Sequence, residues 1–503
     1  MRATHTVGVI AGAVFALASA SCADALRLEP TGGAGGGNPS GTPASTSVGG
    51  GSGGAIACVS SSDCPQPTGV CDVVKGVCVA CLELDDCAAQ PGTVCDAGVC
   101  ACPGEGESYC DEARGCFDLQ TSADHCGACD QGCFGACAAG SCVGPWTRVQ
   151  DVNAPEARGW HAAAFVAGEM FVWGGSRSSG STDNLNDGGR YDPATNTWSA
   201  LSPVGAPSKR QRATAVSTGS LVIVWGGRDG NAYPVAGGVY DPATDTWAPM
   251  TDAGAPDGRM QHTAVWTGSE MVVFGGNNAT SSSLADGGAY DPATDTWRPL
   301  AAVPSPGESR TRHAAAWDAA AGEMVVVGGQ GTYASFGTLV FPAGSAPSAR
   351  AYDPSLDTWR VLSIMGQPTP RESHTVVAVG GEVLVFGGRD TSTELDTGFR
   401  FASGVWTTLA GDPPAARREH TATVLADAGK VVVFGGRTTS LGSTVDLDDG
   451  GVYDLATNAW DATVVPTAVG PRFGHTAVSA GATMIVWGGF GPNALATGGV
   501  FTP

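Results

Sequence analysis

Arg158, Arg210, Arg259, Arg310, Arg371, Arg417 and Arg472 each open a repeated stretch of this chain. A histidine follows three residues later in six of them: His161, His262, His313, His374, His420 and His475, with Ala213 in the second. Imidazoles can hold a metal ion or move protons, and arginines grip anions with a planar fork of donors. A histidine repeated in nearly every copy reads as a scaffold group that hydrogen-bonds within the repeat, not as a metal ligand. For the arginines two readings stay open. They can form a cationic ring that binds a ligand, or each can pair with a carboxylate of its own or a neighbouring repeat, since an unpaired buried charge is costly.

The second chemistry-bearing set is the cysteines. After Cys22, all sixteen lie between residues 58 and 142: Cys58, Cys64, Cys71, Cys78, Cys81, Cys87, Cys95, Cys100, then Cys102, Cys110, Cys116, Cys126, Cys129, Cys133, Cys137 and Cys142. Each half holds an even eight, and the first eight divide into two similar four-Cys units. Cys78/Cys81 and Cys126/Cys129 are C-x-x-C pairs, but only His125 is at hand to complete a zinc set, so disulfides are expected. Segments with so little apolar content need such staples, each contributing about 2–4 kcal/mol. Nothing in the sequence decides their pairing.

Other chemistries find little support. The chain has 48 Asp and Glu against 26 Lys and Arg, a net charge of −22, which argues against nucleic acid as a partner. It has no phosphate-binding glycine loop, dinucleotide fingerprint or H-E-x-x-H zinc motif. The acidic clusters 183–187 and 446–449 do not follow a calcium-loop pattern and read as solvated loops. No serine–histidine–aspartate set can be assembled. No catalytic residue, metal or cofactor is expected.

The elements that must position these groups are strands. After each Arg start comes a short apolar run and a Gly-Gly pair (174–175, 226–227, 275–276, 328–329, 387–388, 435–436, 488–489), followed in the first four copies by Tyr-Asp-Pro and a Trp, and in the sixth by Tyr453-Asp454-Leu455 and a Trp. The starts lie 46 to 61 residues apart, and Tyr to Trp is seven residues in the copies at Tyr191, Tyr240, Tyr290, Tyr352 and Tyr453. In the fifth copy Phe399 is read in the Tyr place, seven before Trp406. Runs such as 271–274 and 431–434 have strand length and composition, and the flanking glycines suit tight turns. A period near 50 predicts propeller blades. The last copy ends at Phe501 without its Trp strand, while an orphan Trp146 precedes the first copy. The segment around Trp146 is therefore expected to complete the last blade, leaving only short, protected sheet edges.

These motifs resemble the kelch repeat of the galactose-oxidase-type propellers, over residues 144–503. The resemblance implies an all-β, seven-bladed kelch-type propeller with variable loops gathered on the face of the Arg starts, where binding usually resides. In kelch substrate adaptors, arginines at the matching place line a pocket mouth and hold acidic side chains. By that resemblance the seven arginines are candidate ligand-binding residues, joined by the loop tyrosines Tyr233 and Tyr333. The copper site of galactose oxidase needs a Cys–Tyr cross-link, and no cysteine follows Cys142. A kelch-type sugar mutarotase is the alternative reading, with Glu308, Glu372 and Glu419 near Arg starts as its acid/base candidates.

Residues 1–21 resemble a secretory signal, with Arg2 ahead of a short apolar run that is too short to span a membrane. Ser19-Ala20-Ser21-Cys22 resembles a bacterial lipoprotein box, making Cys22 the candidate lipidation site; cleavage without lipid is the other possibility. Residues 22–57 form a Gly/Ser/Pro-rich disordered linker. Residues 58–100 hold the two four-Cys units, and 101–143 resemble a Stig1-like eight-Cys module. The expectation is an exported, lipid-anchored bacterial outer-membrane or cell-surface protein. Its propeller binds an unidentified protein or glycan, it meets the membrane only through the lipid anchor, and it binds no nucleic acid.

Overall fold

The computed structural model describes residues 144–503, apart from 181, 305–308, 333–338, 341–348, 441 and 466–468, together with the backbone of short strands between 70 and 143. The expected signal and linker segments and Cys22 lie outside the described residues. Within 70–143 the backbone register sets Cys71 opposite Cys78, Cys95 opposite Cys100 and Cys137 opposite Cys142.

Seven four-stranded antiparallel sheets account for the repeats. The first runs Ala162–Val166, Glu169–Trp173, Gly188–Asp192, Thr197–Ala200, from inner to outer strand. Each inner strand lies against the next inner strand, and the last (Thr476–Ala480) lies against the first. The ring therefore closes around a central axis as a seven-bladed propeller. Every second strand is an apolar run buried along its length, as in Val222–Trp225 and Met271–Phe274. These runs form the shared cores between neighbouring blades.

Closure follows the expected route. Trp146–Arg148 pairs with Gly498–Phe501 as the outer strand of the last blade, with Trp146 opposite Phe501. Trp146 is 1 % exposed and packs against Phe434 and Phe501 at 5.2 and 5.1 Å between ring centres.

In the first four blades the Tyr-Asp-Pro…Trp motif joins the blade to the one before it. Its Asn or Asp turn residue has a positive φ (Asn196 55°, Asp245 52°, Asp295 51°, Asp357 51°), a conformation these short polar side chains tolerate. The same side chain accepts from the Tyr hydroxyl five residues back, as Asp245 does from Tyr240 at 2.7 Å, and from a backbone N–H of the preceding blade's exit segment, Ser202 at 3.0 Å. The Trp indole then donates to that exit segment, Trp247 to the Ser202 carbonyl at 3.1 Å.

The fifth blade departs from this pattern and corrects one sequence alignment. Phe401, not Phe399, stands opposite Trp406. A tight turn at Ser403–Gly404 replaces the longer Asp-Pro hairpin, so the sevenfold spacing of Phe399 and Trp406 is coincidental. The Trp406 indole nitrogen is buried without a hydrogen-bond partner among the described residues.

Candidate functional site

The seven repeat arginines are buried, between 0 and 3 % exposed, and their guanidiniums close loops. In every blade one terminal nitrogen donates to the carbonyl of the first glycine of Gly-Gly, as Arg158 does to Gly174 at 3.0 Å and Arg472 to Gly488 at 2.9 Å. In six blades a bond also runs to the carbonyl just before the third strand: Asp187, Ala236, Asp286, Thr397, Asp449 and Thr497. Each such arginine thus ties together the two ends of a variable loop. Carboxylates complete the set in three blades, Asp187, Asp286 and Asp449. Asp187 and Asp449, with Asp183 on Arg177 and Asp446 on Arg437, belong to the acidic clusters that read as solvated loops. Burial lowers Arg472 to about 9 and Arg210 and Arg371 to about 10, so all three remain cationic at neutral pH.

The arginine carbonyls are used as well. Each accepts from the second glycine of the preceding blade, Gly276 to Arg310 at 2.8 Å for example. That glycine has φ +95°, and a Cβ on it would lie 2.6 Å from the Met260 carbonyl. Of the two readings left open for Arg158, Arg210, Arg259, Arg310, Arg371, Arg417 and Arg472, the described residues favour loop clamps over an open cationic ring, because main-chain oxygens take most of the guanidinium donors. Arg259→Ala is expected to cost about 1–3 kcal/mol, since it takes a donor from the buried Gly275 carbonyl, while the exposed Asp286 carboxylate that it also releases can turn to water. Arg259→Lys should recover part of this, and thermal unfolding of both variants measures it. A loss below about 1 kcal/mol would return these arginines to the list of free binding groups.

The histidines bridge blades. His161 meets Thr476 at 2.6 Å, His262 Thr214 at 3.0 Å, His313 Thr263 at 2.9 Å, His420 Thr375 at 3.0 Å and His475 Thr421 at 3.0 Å. Each pairs with the inner strand of the blade before it. His374 faces Ala314 instead, and its Nε2 has no partner. At the first–second junction both members are missing, with Ala162 and Ala213 in their places.

The groups that do line the axis sit one step beyond the repeated positions. Two residues after each arginine come Trp160, Arg212, Gln261, Arg312, Ser373, Glu419 and Gly474, all with φ between 52 and 61°. Backbone bonds link this ring from blade to blade: Trp160 donates to Gly474 at 2.7 Å, Arg212 to Trp160 at 2.8 Å, Ser373 to Arg312 and Glu419 to Ser373 at 3.0 Å. Left-handed backbone in non-glycine residues marks strain held by the surroundings, and here it repeats around the mouth of the channel. Just outside it, the residue after each arginine bridges the residue after each Gly-Gly: Gly159 with Ser176, Gln211 with Arg228, Met260 with Asn277, Thr311 with Gln330, Glu372 with Arg389, Arg418 with Arg437, and Phe473 with Phe490.

This mouth is chemically uneven. Trp160, Phe473 and Phe490 form an aromatic wall, with Trp160 and Phe490 rings 4.8 Å apart. The Arg212 guanidinium carbon lies over the Trp160 ring, 3.9 Å from its centre, and that of Arg437 over Phe473 at 3.4 Å. Arg312 pairs with Glu372 at 3.3 Å, Arg418 with Glu394, and Arg437 with Asp446 at 2.9 Å and Glu419 at 3.9 Å. Arg212, Arg228 and Arg389 make no ion pair with the described residues. Desolvation lowers Arg212 to about 10, with Glu419 opposing and Arg312 and Arg228 adding to the fall.

Tyr233 sits partly exposed in the loop after the second Gly-Gly, its carbonyl against Gly258. Tyr333 and Glu308 lie outside the described residues. Glu372 and Glu419 reach the mouth, each beside an arginine. The mouth residues escaped a reading built on recurrence, because they differ in every copy. Their signal was a variable position framed by an invariant Arg and a nearly invariant His.

A model of the KLHDC2/KLHL20/DRC7 Kelch-repeats domain matches residues 144–329, 214–410 and 374–499. Kelch domain-containing protein 1 of Homo sapiens is 26 % identical over 133 residues, which is 25 % of this chain and 32 % of that protein. The match therefore spans about a third of that relative's length.

Proposed function

Since the chain belongs to the kelch-repeat family, we propose that its propeller is a protein-binding module that receives an acidic segment at the channel mouth. The observation carrying this reading is the set of three arginines, Arg212, Arg228 and Arg389, that make no ion pair with the described residues in a chain of net charge −22. A local positive mouth on an acidic body draws anions towards it. Variable loops clamped at both ends by buried arginines give the rigid, individually shaped rim that recognition needs.

Export and lipid attachment at Cys22 are proposed alongside it, on the apolar run, the small residues before Cys22 and the sixteen cysteines that follow. On that reading the chain is a surface-anchored module whose cysteine segments are oxidised and whose linker sets the propeller apart from its anchor.

A peptide array probed with the full chain tests the binding reading. Acidic segments should be retained by the native protein and released by 0.5 M salt, where surface attraction is screened. The double variant Arg228→Glu with Arg389→Glu should lose them with its melting temperature unchanged. Retention by that folded variant, or retention of neutral segments only, would overturn the proposal.

A further inference from the structure

The junction between the first and second blades differs from the other six at the level just beneath the mouth. At those six, the first glycine of Gly-Gly is covered by the histidine of the next blade: a Cβ on Gly226 would lie 2.3 Å from His262, and on Gly275, Gly328, Gly387, Gly435 and Gly488 2.6 to 2.7 Å from its histidine. At Gly174 the nearest atoms are backbone oxygens of Arg210 and Leu185. No ring occupies the place, because the second copy carries Ala213. The five histidines with a threonine partner are 4–6 % exposed, whereas Ala213 is partly open. The same junction lacks the threonine, with Ala162 in its place, so both halves of the bridge are lost together.

Two of the three mouth arginines that make no ion pair with the described residues lie at the rim of this opening. Arg212 directly precedes Ala213; it stacks on Trp160 and donates no side-chain hydrogen bond to a described residue. Arg228 is bridged to Gln211, close enough for its charge to act on Arg212, and its Nε is buried without a partner. Two neighbouring guanidiniums, one spread on an aromatic face, leave donor edges unfilled where solvent is partly excluded. A carboxylate compensates one of them. A phosphate monoester carries about −1.5 to −2 charge at pH 7 and three acceptor oxygens, and matches both forks.

We propose that the first–second junction is a subsite for a phosphorylated side chain of a partner protein, held by Arg212 and Arg228, with Trp160 as its wall and the space beside Ala213 receiving the group. This rests on the protein-binding reading above and specifies the anion.

The test is calorimetric titration of the full chain at pH 7.5 with phenyl phosphate and, separately, phenylacetate. Phenyl phosphate should fill one site per chain and bind at least tenfold more tightly than phenylacetate. Arg212→Gln should weaken it tenfold or more. Ala162→Thr with Ala213→His rebuilds the bridge of the other junctions, and should remove binding while holding or raising the melting temperature. If that double variant does not fold, Arg228→Gln carries the same expectation as Arg212→Gln. Equal affinity for the two anions, or unchanged phenyl phosphate binding in the folded variants, overturns the subsite. Acidic peptides that still bind while phenyl phosphate does not would sink the subsite alone. Failure of both ligands would remove the protein-binding reading as well.

Discussion

Deleting residues 144–150 is expected to destroy the cooperative unfolding of the propeller or to lower its melting temperature by more than 10 °C. The segment supplies the outer strand of the last blade, and Phe501, Val500 and Gly499 lose their pairing partners without it. It also carries Trp146, which fills the core with Phe434, Val452, Met484 and Phe501. Truncating a buried tryptophan alone costs about 3–5 kcal/mol, and the deletion adds an unpaired sheet edge inside a closed ring. Attaching the same segment after Pro503 through a short turn should restore stability, since the Thr502 N–H already donates to the Pro145 carbonyl at 2.7 Å. Circular dichroism melts of the three chains measure this. An unchanged melt in the deletion would mean that the ring does not depend on this closure.

Acid is expected to unfold the propeller above pH 4. Burial holds His262, His313 and His475 at about 3, and His161, His374 and His420 well below their ordinary value; nearby repeat arginines push in the same direction. The unfolded chain binds these protons near pH 6.5 while the folded chain refuses them. Stability is therefore fullest above pH 6.5 and falls as pH drops from 6.5 towards 3. Each histidine held below its ordinary value withdraws stability over that window, on the order of 1 kcal/mol per pH unit. Six together match the whole stability of an ordinary domain, about 5–15 kcal/mol. Asp286, held below its usual value by Arg259 despite its burial, loses its contribution in the same direction as it protonates. Acid unfolding should take up about six protons in excess of the carboxylates, and His374→Leu should shift the midpoint to lower pH because His374 has no threonine to keep. A chain folded through pH 3.5, with the same midpoint in that variant, would show that the imidazoles are not excluded from protonation.

The role of the arginines is where sequence and structure part. Seven arginines at one place are equally consistent with a ligand ring and a set of clamps. Their acceptors are main-chain carbonyls, which every residue has, so no residue type in the sequence announces them. Folding brings Gly174 and Asp187 to Arg158 across 16 and 29 residues, and their oxygens share one terminal nitrogen of its guanidinium. The same holds for His161, whose partner Thr476 is 315 residues away and meets it only because the ring closes.

What the sequence by itself determined is the part written in local, repeated signals. Apolar runs of strand length, glycine pairs with positive φ, and Asn or Asp turns followed by Trp each dictate their own stretch of backbone. Seven of them, with Trp146 left over at one end and missing at the other, set the blade number and the closure. Only the tertiary structure decided which polar groups are consumed and which are left. Arg158 and Arg212 are alike as side chains. One enters a blade junction and meets carbonyls, while the other emerges at the mouth against Trp160, beside the place where Ala213 leaves out a histidine. That difference arises from the packing of neighbouring blades, so it belongs to the assembled ring and to no single repeat.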